Sequence, residues 1–314
     1  VSYTGPGFEP PQPRRSRRGP LTVALAALVP GALLGWAVYA AVGGSGDDEA
    51  AGTPTASASA SPRTSSAAPS GSAGDGKPTG SSTAEPSAAA GTLEGKVVVI
   101  DPGHNPTNFE HTAEINRQVD IGTNRKECDT TGTSTNDGDA EAEFTLDVAH
   151  RMRTLLEKQG ATVKLTQDED RPFGPCVDER ARIGNKAGAD AVVSIHADGS
   201  GTGNRGFHVI LPGAVDAGGA DTRAIVGPSA DLGARIAGDF VRVTGSAPSN
   251  YIGGGTGLVT RKDLGGLNLS TVPKVFIECG NMRDSKDAAL LTSGAWRQKA
   301  AQGISDGIVS FLRG

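Results

Sequence analysis

Aromatic side chains make up only 4% of this 314-residue chain, and no basic run occurs in the part able to fold. Those two shortages exclude nucleic acid as a partner, since binding it takes stacking rings or a positive stripe. The net charge of −5, from 30 basic and 35 acidic residues, is mixed along the chain. Cysteine is scarce as well: Cys128, Cys176 and Cys279 are the whole supply. None belongs to a Cys-x-x-Cys pair, which argues against a thiolate zinc site. In an exported domain, three cysteines divide naturally into one disulfide and one free thiol. Of the three pairings, Cys128–Cys176 is preferred, because both residues lie in polar, loop-like sequence with Gly and Pro nearby. Cys279 follows an apolar strand and reads as a buried small residue.

Between residues 43 and 91, large aliphatic and aromatic side chains are missing altogether. A segment of Ala, Ser, Thr, Gly and Pro cannot bury enough surface to fold, so a disordered linker is expected there. Charge is missing from Leu21 to Val42. This apolar run is long enough to cross a bilayer core of about 30 Å as a helix. Arg14, Arg15, Arg17 and Arg18 precede it, and Asp47, Asp48 and Glu49 follow it. The arginines place the N-terminus inside and the rest outside. The expected order is a cytoplasmic Arg-rich tail (1–20), a transmembrane anchor (21–42), the linker (43–91) and one folded domain (92–314). A cleaved signal segment, with Val38-Tyr39-Ala40 as its cleavage site, is the alternative to a retained anchor. Either way the folded domain is exported, held at the cell membrane or secreted.

Within that domain, strands and helices alternate. Val97-Val98-Val99-Ile100 is a β-branched run ended by the turn Asp101-Pro102-Gly103. A polar stretch from Asn105 to Asp139 follows without clear periodicity. Phe144, Val148, Met152 and Leu155 then recur at helical spacing, predicting a helix over 141–159 ended by Gly160. Strands are expected at Thr162–Leu165, Ala191–Ile195, Gly206–Leu211 and Lys274–Ile277. Further helices are expected at Val177–Ala187, at 229–243 with Ser229 as its cap, and at 295–312. The pattern predicts an α/β fold: a single mostly parallel or mixed sheet flanked by helices on both faces.

Three of the core strands end in groups of one chemistry: His104 after the first, His196 after Ala191–Ile195, and Glu278 after the last. Glu141 and Glu143 add carboxylates at the start of a helix. Two His and one carboxylate with an open fourth position is the pattern of a catalytic metal, and a further Glu suits a general base. The alternative is that Glu278 caps a turn and the histidines fill satisfied core niches.

Taken together, Val97–His104, the helix-leading Glu, Ser194-Ile195-His196-Ala197-Asp198 and Val275–Asn281 resemble the zinc-dependent N-acetylmuramoyl-L-alanine amidases of the third amidase family. The likeness runs over about residues 95–313. Arg180–Asn185 also matches the family's Arg…Asn helix. Gly174–Arg180, Asp263–Leu269 and the Cys128 loop resemble actinobacterial secreted members. The resemblance implies one zinc ion held by His104, Glu141 and His196. Counting back from Gly160 selects Glu141 over Glu143. It implies Glu278 as the catalytic base, and cleavage of the amide between N-acetylmuramic acid and L-alanine in peptidoglycan, by a monomer. Asp198 and Gly206 are expected to line the cleft, and Arg180 and Asn185 to hold a helix to the sheet. Asn105-Pro106 after the His, and Glu-Cys-Gly-Asn in the last motif, depart from the commoner pattern. A wall-binding module without turnover, or a zinc carboxypeptidase or other amidohydrolase acting on stem peptides, are the alternatives. Both ends of Asn105–Asp139 are pinned beside the site; the segment is expected to be mobile unless tied, and is read as a lid over the metal stapled by Cys128–Cys176, with an ordinary surface excursion as the alternative.

Overall fold

The computed structural model describes residues 93–314. The expected tail, anchor and linker lie outside these residues. Among the described residues, no helix is long and apolar enough to cross a membrane.

A six-stranded sheet forms the centre. Its strands are β1 (Val97–Pro102), β2 (Thr162–Leu165), β3 (Ala191–Asp198), β4 (His208–Pro212), β5 (Leu258–Arg261) and β6 (Lys274–Asn281), in the order β2-β1-β3-β6-β4-β5. β2, β1, β3 and β6 run parallel, β4 is antiparallel to β6, and β5 is parallel to β4. The mixed α/β sheet expected from the pattern is therefore present.

Alternation along the strands sends side chains to two different cores. Val98, Ile100, Val193, Ile195, Val275 and Ile277 face a large cluster with α1 (Glu141–Lys158), α3 (Val226–Thr244) and α5 (Gly294–Arg313). Val97, Val99 and Val192 face the other side, against Ile183 and Ala187 of α2 (Val177–Ala187). A short α4 (Ser285–Leu291) precedes α5, with the Asp284 carboxylate accepting from the amides of Lys286 and Asp287 as its cap. α3 and α5 approach closely because α5 offers glycine there. A Cβ on Gly307 would sit 2.5 Å from the Ile236 Cα.

Two local expectations are corrected. Ser229 does not cap α3, which begins at Val226; Ser229 is buried inside the helix, where its Oγ accepts from the Lys274 amide at 3.1 Å. The strand expected from Gly206 begins at His208, because Gly206 turns at φ +94° and gives its amide to Asp287 at 2.7 Å. The segment Asn105–Asp139 is tied, and the Cys128–Cys176 staple expected for it is present. It holds a short helix (Thr112–Ile115) and a hairpin of Gln118–Asp120 with Arg125–Glu127. Asn105 Nδ2 donates to the Gly174 carbonyl at 3.1 Å, and Asn108 Oδ1 accepts from the Gly174 amide at 2.9 Å. Cys128 and Cys176 form a disulfide, while Cys279 is free and buried.

Candidate metal centre

His104, His196 and Glu278 share one end of the sheet because β1, β3 and β6 are parallel neighbours. Glu278 lies directly opposite His196 in the register. The carboxyl ends of parallel strands are where open α/β sheets place ligands. Residues of β1 and β3 that face α2, Asp101 and Ser194, are also paired in register, so the face that carries His196 and Glu278 also carries a polar layer beneath them.

His104 stands just past the β1 turn at φ +62°, a conformation uncommon for a residue with a Cβ. Three groups hold it there. Its Nδ1 lies 3.1 Å from the Thr130 carbonyl and 3.3 Å from Asp129 Oδ1. Its carbonyl accepts from Arg180 Nη2 at 2.9 Å. That leaves Nε2 toward Glu141 Oε2, at 3.3 Å. Glu141 opens α1 and is only 4% exposed. Its Oε1 faces His196 Nδ1 at 2.9 Å and accepts from the Ala197 amide at 3.2 Å. Its Oε2 accepts from the Thr133 amide at 2.9 Å. One donor atom from each of His104, Glu141 and His196 lies within 4.8 Å of the others, a group able to hold a metal ion. Glu143 is exposed and outside it. The His196 ring stacks on Phe276, centroids 5.3 Å apart. Gly103 makes room for that ring, since a Cβ would meet His196 Cε1 at 2.4 Å.

Electrostatics separate the two glutamates of the cleft. Burial alone would raise the Glu141 carboxyl and lower the His104 imidazole, but their mutual attraction reverses both. Glu141 is held far below the carboxylate range and His104 well above the ordinary histidine value. Glu278 goes the other way: burial, then the charges of Glu141 and Asp198, push its carboxyl well up. Glu278 Oε2 is buried with no hydrogen-bond partner, as befits an acceptor reserved for something that enters the cleft.

These groups line a cleft of about 410 Å³ with Thr130, Gly132, Thr133, Asp198, Ile210, Arg261, Leu264 and Phe276. Asp198 lies among these lining residues and accepts from the Tyr251 hydroxyl at 2.6 Å. Gly206 is not among the cleft residues. It lines a separate cavity with Arg205, Cys279, Asp287 and Trp296, because its positive φ bends the chain away before β4 starts. Arg180 does more than hold α2 to the sheet. Buried, it bridges Asp101 at 2.8 Å and Asp129 at 2.9 Å and donates to the Pro102 carbonyl at 2.6 Å. Lys274 Nζ closes the network on Asp101 at 3.0 Å. Asn185 ties α2 to the loop before β6 through the Leu269 carbonyl and the Thr271 amide.

Sequence reasoning missed Asp129, Thr130, Thr133 and Arg261. The first three lie in the aperiodic Asn105–Asp139 segment, where no pattern marks direction. Only the proximity of that segment's ends to His104 and Glu141 pointed to it.

A profile of N-acetylmuramoyl-L-alanine amidases matches residues 98–310, spanning every strand and helix that shapes the cleft. The chain belongs to this amidase family. The chain is 42% identical over 228 residues to the N-acetylmuramoyl-L-alanine amidase Rv3717 of Mycobacterium tuberculosis, covering 72% of this chain and 90% of that protein. The amidase fold is shared with the crystal structure of Ami1 from Mycobacterium smegmatis, at a TM-score of 0.65 and 40% identity, covering 70% of this chain and 98% of that one. The Escherichia coli amidase AmiA is 27% identical over 245 residues, 69% of this chain and 76% of that protein.

Proposed function

We propose that this amidase hydrolyses the amide between N-acetylmuramic acid and L-alanine in peptidoglycan, with one zinc ion held by His104, Glu141 and His196. The observation that carries the reading is the convergence of two imidazole nitrogens and one buried carboxylate within 4.8 Å of one another, with a second carboxylate, Glu278, holding an unpartnered Oε2 in the same cleft. The donor set fits the metal: neutral imidazole and carboxylate are zinc ligands, and three protein ligands leave a position open for chemistry. The surroundings fit as well, because Asp129 and the Thr130 carbonyl orient the His104 ring from its far nitrogen.

When bound, zinc supplies a polarised carbonyl and water of lowered pKa. The protein does the rest. Glu278 takes the proton of the attacking water and returns it to the departing amine nitrogen of alanine. Its raised affinity for protons, set by burial and by Glu141 and Asp198, suits acceptance followed by donation. Ile210, Leu264 and Phe276 add apolar side chains to the lining of the same cleft.

The same proposal extends to place. The Cys128–Cys176 disulfide belongs to an oxidising compartment, and the uncharged run Leu21–Val42 supports export, with the enzyme acting as a monomer at the outer face of the membrane or beyond it. Mass spectrometry of purified peptidoglycan after digestion tests the reaction. Release of intact peptides with N-terminal alanine is expected, together with one zinc per folded domain. Single C-terminal amino acids in the digest would overturn it in favour of a carboxypeptidase.

A further inference from the structure

Arg261 is the one arginine or lysine among the residues lining the cleft that holds His104, Glu141, His196 and Glu278. It ends β5, the edge strand, where it pairs with Pro212 of β4. β4 separates β5 from β6, so the Arg261 backbone starts two strands from Glu278, about 10 Å sideways at the usual interstrand spacing. Its side chain reaches back over the sheet to the cleft and stays 38% exposed.

The guanidinium is fixed along one edge only. Nε donates to Asp263 Oδ1 at 2.9 Å, and Nη2 donates to Asp263 Oδ2. Asp263 is braced in turn by Lys126 Nζ at 3.5 Å. Among the described residues, no hydrogen bond uses Arg261 Nη1. The end-on Nη1/Nη2 edge of the fork is therefore left over, in a cleft whose other charged side chains include Glu278 and Asp198. An arginine immobilised on one edge and open on the other matches a planar anion, and carboxylate is the planar anion that a peptide carries. If Arg261 were there only to pair with Asp263, a half-exposed ion pair of this kind would contribute little.

Distance along the sheet decides which anion. A transition-state oxyanion forms between the histidines and Glu278, on β1, β3 and β6. Arg261 comes from two strands further out, with Ile210 on the strand between. We propose that Arg261, held by Asp263, binds a carboxylate of the stem peptide several ångströms from the scissile amide, and so sets which stem peptides are accepted. This rests on the amidase reading above.

The test uses two soluble muramoyl-peptides that differ only in the stem carboxylate nearest the scissile amide, free in one and amidated in the other. Wild type is expected to favour the free carboxylate. In Arg261→Gln the free-to-amidated ratio of kcat/KM should collapse by about 10–100-fold, the worth of a charged hydrogen-bonded contact, with the loss in KM. Arg261→Lys should restore part of the ratio. Calorimetry with the released peptides should show the same discrimination in Kd, lost in Arg261→Gln. Equal losses on both substrates, or a fall in kcat alone, would overturn the proposal while leaving the amidase reading intact. Wild type inactive on both substrates would overturn the amidase reading and this proposal with it.

Discussion

Glu141, buried, and Glu278, half-buried, are carboxylates beside the same pair of histidines, yet their surroundings drive them in opposite directions. Glu141 accepts from two backbone amides and faces both imidazoles. Glu278 has one oxygen with no partner. The first is built as a permanent anion, the second as a group that exchanges protons. Glu278→Gln should keep zinc and fold but lose about 10²–10⁴-fold in kcat, the usual worth of a positioned general base. Metal analysis alongside single-turnover kinetics checks this, and normal turnover at full zinc content removes Glu278 from the mechanism. Glu141→Gln should weaken zinc binding strongly, whereas Glu143→Gln, on the exposed side of the same helix turn, should leave it nearly unchanged. Competition titration with a chelating dye measures both, and the reverse order would contradict the ligand assignment.

At the level of elements, the centre depends on supports outside the set of metal-ligand candidates. α2 contributes Arg180, whose guanidinium neutralises Asp101 and Asp129 and grips the carbonyls of Pro102 and His104. Removing it takes one cationic partner from each of two buried carboxylates and one of the groups that hold His104. Arg180→Met is expected to cost about 3–5 kcal/mol, the range for breaking a buried ion pair on one side; a loss under about 1 kcal/mol in urea unfolding would show that water replaces the pairing. The Cys128–Cys176 bridge, 48 residues apart in sequence, ties the segment that carries Asp129, Thr130 and Thr133 to the start of α2. Chain entropy puts its worth at about 4 kcal/mol. Cys128→Ser/Cys176→Ser should unfold at correspondingly lower denaturant and be nicked faster by protease between residues 105 and 139. On the opposite face, Gly307→Val would force α5 away from Ile236 of α3. Overpacking of this kind typically costs about 1–3 kcal/mol, readable as a lowered Tm with zinc content preserved.

Across the whole molecule, the sheet is a support with a charged layer under its functional end. Burial alone would raise the Asp101 carboxyl, but Lys274 and Arg180 outweigh it and hold the group far below its ordinary value of 3.8. Burial likewise opposes Asp129, and Arg180 with His104 brings it down to about 2. Both pKa values are depressed in the folded state. Their contribution to stability is therefore fully present above the ordinary carboxylate value and is lost as pH falls below it, through about 2 for Asp129. Unfolding free energy should be flat in this respect from neutrality to about pH 5 and then drop steeply toward pH 2. Asp101→Asn should flatten that acid limb, as followed by denaturant melts across pH, and an unchanged limb would place the acid sensitivity elsewhere.

Local pattern alone determined the order of the main strands and helices, the parallel core and the strand-end positions of His104, His196 and Glu278. Unbroken β-branched runs and helical stripes are local signals, and each carries its own boundary in a turn or a glycine. The strand Leu258–Arg261 was not legible, because it is short, lies at the sheet edge and is preceded by a run of glycines that masks its alternation. Even the choice of Glu141 over Glu143 needed the likeness to a known family, since two carboxylates two residues apart look equivalent until the helix is rotated into place. Tertiary structure alone decided which chemistry-bearing residues meet. Asp129 reaches His104 across 25 positions of aperiodic sequence, Arg261 reaches the cleft from two strands away, and Gly206 turns out of it. Those outcomes depend on chain reversals held by long-range hydrogen bonds and a disulfide, whose partners lie too far apart in sequence for any periodicity to connect them.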